Sequence, residues 1–324
     1  MRAAWYERQG PAQQVLRVGT MPAPTPGPAE VRIRIAASGI NPGDVKKRQN
    51  AFGYGMPYPR IIPHSDGAGV IDQVGDGVST DLVGRRVWCY GAQTYRPFGT
   101  AADYTVVPAS QAVPLPDSVS FEQGACLGIP GVTAHRCIHA ARPVDGRTVL
   151  VQGGAGAVGI CAVQLARRAG ALVIATVRSA ADEPTAFEAG AHHVLRMGPE
   201  LIERVRAIAP DGVDHIVEVA FGVNIAADLE LLALRGSVAT YATDVGTPAI
   251  PFWPLVFKNI RIDFLGSDDF AAEDKVNAAH AVNEALLAGW RGFEIAERFP
   301  LEEIATAHER AEAPLRRGRL VLTV

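Results

Sequence analysis

The run VLVQGGAGAVGICAVQLARRAG at positions 149–170 limits the possible folds of this chain more than any other segment. Gly154-x-Gly156-x-x-Gly159 follows an apolar strand and opens a helix whose Val158, Cys161, Ala162, Leu165, Ala166 and Ala169 recur at helical spacing. A second apolar segment, Ala171–Val177, comes directly after. In a strand–loop–helix–strand of this kind, one glycine permits the tight turn and the next lets backbone approach a pyrophosphate. The third lets the helix pack close to the strand. The helix start then offers unpaired N–H groups and a positive partial charge. Gly154, Ala155, Gly156, Ala157, Val158 and Gly159 are therefore candidate contacts of a dinucleotide. The alternative is a glycine-rich turn with no ligand.

The choice of dinucleotide is read about 20 residues beyond such a loop. A carboxylate there holds the ribose 2′-hydroxyl of NAD. This chain has Thr176-Val177-Arg178-Ser179, with no carboxylate before Asp182. A guanidinium and a hydroxyl suit a 2′-phosphate, so Arg178 and Ser179 point to NADPH. The competing reading of Arg178 is a solvated surface arginine.

Around this motif the chain changes texture. Up to about Asp117 it is rich in Gly and Pro, with short strand candidates at Val31–Ala36, Gly69–Val74, Arg86–Tyr90 and Tyr104–Val107. Turns are expected at Pro26-Gly27, Asn41-Pro42-Gly43 and Gly75-Asp76-Gly77. After Ser118, strands at Thr148–Gln152, Ala171–Val177, His193–Leu195, His215–Val219 and Ser237–Tyr241 alternate with helices that can cover both faces of a parallel sheet. Helices near Ala271–Ala288 and Leu301–Ala313 come next, then a closing strand at Arg319–Val324 that is free to return to the first domain.

At 324 residues the chain is long enough for two domains. Its net charge of −3 gives no electrostatic reason to expect nucleic acid or an anionic membrane. No apolar stretch reaches the roughly 18–20 residues of a membrane span. Met1–Gly10 carries Arg2, Glu7 and Arg8 and does not read as a secretory signal. Cys89, Cys126, Cys137 and Cys161 are scattered, which argues against a disulfide framework or a cysteine-rich zinc lobe. A cytoplasmic protein is expected.

The chain contains no Tyr-x-x-x-Lys, no H-E-x-x-H and no G-x-S-x-G. What it does contain is ASGINPGDVKKR (37–48), HSDGAGVIDQVGDGV (64–78), a segment ending LGIPGVTA at 127–134, the glycine loop, and PLVFKNIRI (254–262). With these segments the sequence resembles the medium-chain dehydrogenases/reductases, specifically their quinone oxidoreductase, or zeta-crystallin-like, branch. The resemblance implies an α/β fold: a Rossmann-type doubly wound parallel sheet plus a GroES-like β-rich catalytic domain built from both ends of the chain. The expected boundaries are 1–122 for the catalytic part, 123–266 for the NADPH-binding domain and 267–324 for the return segment.

Zinc-dependent members of that superfamily ligate their metal at positions that align here with Asn41, Ser65 and Ile129. An amide and a hydroxyl in place of a thiolate and an imidazole cannot build a tetrahedral N/S site, so no zinc is expected. His64 is one residue out of register with the ligand position and reads as a surface or cleft histidine. Without a Lewis acid, an acceptor that delocalises negative charge itself is favoured. The resemblance makes Asn41 the donor to the developing oxyanion; the alternative is a turn asparagine with an Asx bond. Tyr54 and Lys46 are candidate proton sources, with water as the alternative. Asp44 reads as structural, and Arg48, Phe52 and Tyr58 as further residues of a substrate mouth.

For the cofactor, the resemblance adds Thr133, Tyr241, Ala242, Phe264 and Leu265 at the nicotinamide end and Arg196 near the adenosine. Arg319, in the basic run 316–319, is a candidate for the phosphates, against the alternative of a solvated basic turn. The function expected is reduction of quinones by NADPH. An enal, enone or enoyl thioester reductase is the near alternative. A nucleotide-binding, crystallin-like structural or RNA-binding protein is the alternative of another class. The resemblance also implies a homodimer through Rossmann sheet edges.

Overall fold

A computed structural model describes residues 1–313 and 317–324, so Arg316 of the basic run lies outside the described residues. The chain forms two compact units, Met1–Ile129 with Arg291–Val324, and Pro130–Trp290.

The first unit is built on a mixed sheet. Its strands run in the order Ile295–Pro300, Arg319–Thr323, Glu30–Gly39, Asp66–Val74, Arg86–Cys89 and Ala112–Pro114, with Tyr104–Pro108 also paired to Glu30–Gly39. The closing strand does return here: Val321 to Thr323 lie antiparallel to Gly39 to Ala37. Alternating residues of Glu30–Gly39 and its neighbours, among them Val31, Ile33, Ile35, Ile71, Val87 and Val107, fill one core. Burying each such aliphatic side chain contributes roughly 1.5–3 kcal/mol. Tyr6, Ile40, Ile62, Leu301, Leu320 and Leu322 fill a second.

The register of this sheet is what builds the site. Gly39 pairs with both Asp66 and Val321, so the end of one strand and the starts of two others converge. The expected turn at Asn41-Pro42-Gly43 is instead the entry to a helix, Pro42–Gln49, with proline at its first position and Asn41 as its cap. Proline there sacrifices only an N–H that has no partner within the helix.

The second unit is a six-stranded, wholly parallel sheet: Thr148–Val151, Leu172–Val177, His193–Arg196, Val213–Glu218, Leu232–Thr240 and Arg261–Phe264. Taken in chain order, these lie in the spatial order 3-2-1-4-5-6 of a dinucleotide-binding fold. Leu150, Ile174, Val213, Ile216 and Val238 are buried in its core with Phe221 and Ile225 of the helix Phe221–Leu231.

The expected boundaries shift at both ends of this unit. Residues 123–129 belong with the first unit and 267–290 with the second. Helix Ala272–Leu287 packs on helix Ala157–Arg168, because a parallel sheet needs cover on both faces. A Cβ at Gly131 would lie 2.7 Å from Val282 of that same helix.

Candidate active site

In the first unit, the three converging strand ends carry Asn41, Asp66 and Arg319. The Asn41 amide Nδ2 donates to Asp66 Oδ2 at 2.7 Å, and Arg319 Nη2 donates to Asn41 Oδ1 at 2.7 Å. A guanidinium can only donate and a carboxylate accepts, so the two neighbours leave the amide one orientation. The backbone N–H of Asn41 is held in turn by Asp44 Oδ2 at 2.8 Å, which gives Asp44 the structural role expected of it. All three side chains are buried, with exposures of 4% for Asn41, 0% for Asp66 and 3% for Arg319.

Asp66 Oδ2 also accepts from the Ile129 N–H at 2.8 Å, while Asp66 Oδ1 and Arg319 Nε have no hydrogen-bond partner among the described residues. Burial pushes the Asp66 carboxyl up to about 7, against the opposing N–H groups of Asn41 and Ile129 and the charge of Arg319. One N–H of Asn41 is committed to Asp66; the second is not used by a partner among the described residues. The arrangement is a fixed amide donor clamped between a carboxyl and a guanidinium.

Arg319 is buried and so is not the residue of a solvated basic turn. Its guanidinium is turned onto Asn41 and lies over the Phe293 ring at 5.8 Å.

His64 is likewise neither a surface nor a cleft residue. It is fully buried at a φ of +75°, with Nδ1 2.8 Å from Ser38 Oγ and Nε2 2.9 Å from His308 Nε2. Arg48, expected at the substrate mouth, is also fully buried, donating to His308 Nδ1 and paired with Glu312. At the other end Ser38 meets Thr100, whose hydroxyl donates to the Asp66 carbonyl at 2.6 Å. Because Arg48 must donate at one end and Thr100 at the other, each histidine holds one proton: His308 on Nε2 and His64 on Nδ1. Burial lowers the His64 ring to about 3, consistent with neutral imidazoles tying together the strands that carry Asn41 and Asp66.

Lys46 is half-buried on the Pro42–Gln49 helix. Tyr54 is exposed in the loop beyond it, its ring stacked on Phe52 at 5.9 Å, and the Tyr58 hydroxyl donates to the Tyr95 carbonyl.

In the second unit, the glycine loop lies between Thr148–Val151 and helix Ala157–Arg168. Gly153 takes a φ of +70°, and Gly154 N donates to the Thr176 carbonyl at 2.8 Å. A Cβ at Gly154 would lie 2.6 Å from Ala175 Cβ, and one at Gly159 would lie 2.1 Å from Gly153 O. At Gly156 the nearest atom is Gly153 O at 3.2 Å. The helix has Gly156 as its N-cap, no side-chain cap and no acidic residue in its first turn. Its first N–H groups, from Ala157, Val158 and Gly159, are left for an anion. These residues fit a dinucleotide pyrophosphate.

At the end of the next strand Arg178 is exposed and has no ion-pair partner among the described residues. Ser179 Oγ donates to Asp182 Oδ2 at 2.7 Å, and Arg196 pairs with Glu183 at 3.2 Å. Of the candidates for the adenosine end, Arg178 is thus the one whose charge is uncommitted. Thr133 is buried on helix Gly128–His139, Tyr241, Ala242 and Leu265 are half-buried, and Phe264 is exposed with its ring edge-on to Phe221 at 5.2 Å.

Comparison with known proteins gives this geometry a family. The model described as "Alcohol dehydrogenase GroES-like domain" matches residues 27–117, and that described as "Zinc-binding dehydrogenase" matches 157–279. Quinone oxidoreductase of Rattus norvegicus is 33% identical over 312 residues, spanning 94% of this chain and 91% of that protein. The chain belongs to the quinone oxidoreductase family of medium-chain dehydrogenases/reductases. Among solved structures, a mycobacterial protein complexed with NADPH superposes with a TM-score of 0.86 at 28% identity, covering 100% of both chains. Quinone oxidoreductase of Pseudomonas syringae superposes with a TM-score of 0.85 at 26% identity, covering 100% of this chain and 99% of that one.

In this chain, the positions that align with zinc ligands hold an amide clamped by two neighbours, a buried serine, and a backbone N–H given to Asp66. That donor set does not fit a tetrahedral zinc site. Among the described residues, no group of three or more His, Cys, Asp and Glu is placed to hold a metal ion. Two residues of the site, Asp66 and His308, are not among those the sequence singles out. Asp66 lies inside the HSDGAG run, beside Ser65, and its acidic character ahead of the small residues Gly67-Ala68-Gly69 is the available signal.

Proposed function

We propose that this chain is an NADPH-dependent, zinc-independent reductase that transfers hydride to quinones in the cytoplasm. The observation that carries the reading is the Asn41 amide, locked in one orientation with one N–H to spare. NADPH supplies the hydride when bound. A quinone that accepts it becomes a hydroquinone anion, and Asn41 Nδ2 donates to the oxygen where that charge develops. Arg319 and Asp66 hold the amide in place beforehand, so no reorganisation is needed as the charge appears. Arg178 would hold the 2′-phosphate, and the uncapped helix start would hold the pyrophosphate.

The test is loss of NADPH absorbance in EDTA-treated protein with a simple para-quinone, run beside NADH. Metal-independent oxidation with NADPH preferred is expected; turnover only with an enal or enoyl thioester moves the assignment to that acceptor class. Arg178→Ala is expected to raise the KM for NADPH about 10- to 100-fold, the worth of roughly 1.5–3 kcal/mol for a charged hydrogen bond, with NADH kinetics unchanged. Equal losses with both cofactors would remove Arg178 from the 2′-phosphate site.

A homodimer is part of this reading. Arg261–Phe264 is an edge strand of the parallel sheet, with one side open for pairing. The preceding helix, Phe252–Lys258, exposes Phe252, Trp253 and Phe257, the last at 73%. A patch of that kind is costly to leave in water. Light scattering is expected to give twice the chain mass, and Phe257→Glu to give the monomer; a wild-type protein that is monomeric at micromolar concentration counts against it.

A further inference from the structure

Two carboxylates lie fully buried behind the glycine loop. Glu218 ends strand Val213–Glu218, Asp228 lies on helix Phe221–Leu231, and both have 0% exposure. Glu218 accepts from the Ala220 N–H and from Asn224 Nδ2 at 3.1 and 3.2 Å. Asp228 Oδ1 accepts from Gln152 Nε2 at 2.9 Å, but Asp228 Oδ2 finds no donor among the described residues. Asn224, which donates to Glu218, lies one helical turn before Asp228, so the two carboxyls share that side of the helix. Two ionised carboxylates cannot bond each other, whereas a proton on Asp228 Oδ2 would give that orphaned oxygen a hydrogen bond to make toward Glu218.

With that proton in place, the hydrogen bonds from the loop run in one direction. Gly153 N–H donates to Thr176 Oγ1 at 3.1 Å, and Thr176 Oγ1 donates to Gln152 Oε1 at 2.7 Å. Gln152 Nε2 donates to Asp228 Oδ1, and Asp228 donates to Glu218. Each donor in the chain fixes the next and Asp228 Oδ1 is where it ends, so a displacement of Asp228 frees the Gln152 amide and, through it, the Thr176 hydroxyl. Thr176 also accepts Gly154 N–H at its carbonyl, which makes it the anchor of the first two loop glycines.

We propose that Asp228 keeps a proton, which it donates to Glu218, and that this contact positions the glycine loop for the dinucleotide through Gln152 and Thr176. The proposal rests on the reading of that loop as the NADPH site. Asp228 is a positioning residue; it acts on the cofactor only through its neighbours. Burial first, and then the negative charge of Glu218, push the Asp228 carboxyl well above the ordinary carboxylate range. Other charged groups on the elements around it are turned away. Glu203, Arg204, Arg206 and Arg235 are exposed, Lys258 donates to the Leu229 and Leu232 carbonyls, and His215 bonds Ser237 and the Cys137 carbonyl. As pH rises and the Asp228 proton leaves, two adjacent carboxylates face each other in a dry site. Asp228 must then move, and Gln152 and Thr176 lose their fixed orientation.

The experiment is the Kd for NADPH, by fluorescence titration of the full chain between pH 7 and pH 10, for wild type, Asp228→Asn, Thr176→Val and Thr176→Ser. Wild-type affinity is expected to fall at least tenfold toward the alkaline end. Asp228→Asn, whose amide donates to Glu218 at every pH, is expected to bind within about threefold of wild type at pH 7 and to show a flat profile. Thr176→Val, which cuts the chain, is expected to bind about tenfold more weakly at all pH values, and Thr176→Ser to restore the wild-type curve. Thermal unfolding gives an independent reading. A carboxyl whose folded pKa is raised loses stability as pH climbs from its unfolded toward its folded value, so Asp228→Asn gains on wild type over that window. An Asp228→Asn profile that tracks wild type, or a flat wild-type profile, overturns the inference alone. Wild-type protein that does not bind NADPH at pH 7 overturns the loop reading and the inference with it.

Discussion

Asn41→Ala is expected to lower kcat/KM for NADPH-driven quinone reduction by about 100- to 1,000-fold, the effect of removing one preorganised donor, worth ~2.7–4 kcal/mol. The loss should fall on kcat, because the donor acts on charge that develops only in the transition state. The Kd for NADPH should change by less than about threefold, since Asn41 donates to the acceptor's oxygen and not to the cofactor's phosphates. A stability cost is expected as well. Asp66 and Arg319 are joined through this amide, and truncating it leaves a buried carboxyl and a buried guanidinium without their bridge. Breaking a buried ionic arrangement costs roughly 3–5 kcal/mol, so the unfolding temperature should fall by several degrees. Steady-state kinetics beside thermal unfolding separates the two effects. A variant destabilised in this way but with kcat within threefold of wild type would show that Asn41 is a cap and a bridge and not the oxyanion donor.

Gly159→Val is expected to weaken NADPH binding by more than about 100-fold, on the order of 3 kcal/mol. The cause lies in the protein's own geometry. A Cβ at this position falls 2.1 Å from Gly153 O and 2.9 Å from Gly154 Cα, so the loop must move away from the helix start that receives the phosphates. Fluorescence titration reads the affinity, and circular dichroism checks that the parallel sheet is intact. Near-normal binding by a folded Gly159→Val protein would place the dinucleotide somewhere else.

The second unit is legible in the sequence because its signals are local. Val158 to Ala169 mark one helix face, the glycines sit at their required spacing, and the buried strands are short apolar runs between them. The first unit is legible in outline only. Strands Glu30–Gly39, Asp66–Val74 and Arg86–Cys89 fall within a few residues of their expected places, but Ile295–Pro300 has no counterpart among the expected strands. Asn41-Pro42-Gly43 has the composition of a turn, yet it opens a helix. The same three residue types serve a turn and a helix start equally well, and the Asp44–Gln49 segment beyond them decides between the two.

Residue order is enough for a dinucleotide loop and for an arginine where NAD-type sites carry an acid, and the family resemblance adds an asparagine in place of a metal-binding cysteine. The first two can be read within one strand–loop–helix–strand unit. Their surroundings come only from the folded chain. Asp66 and Arg319 reach Asn41 because Gly39 pairs with both Asp66 and Val321. His64 meets His308 across 244 residues of chain, and Asp228 meets Gln152 across 76. Partners of this kind are chosen by sheet register and by the need to satisfy every polar group taken out of water, and neither leaves a local trace in the order of the residues.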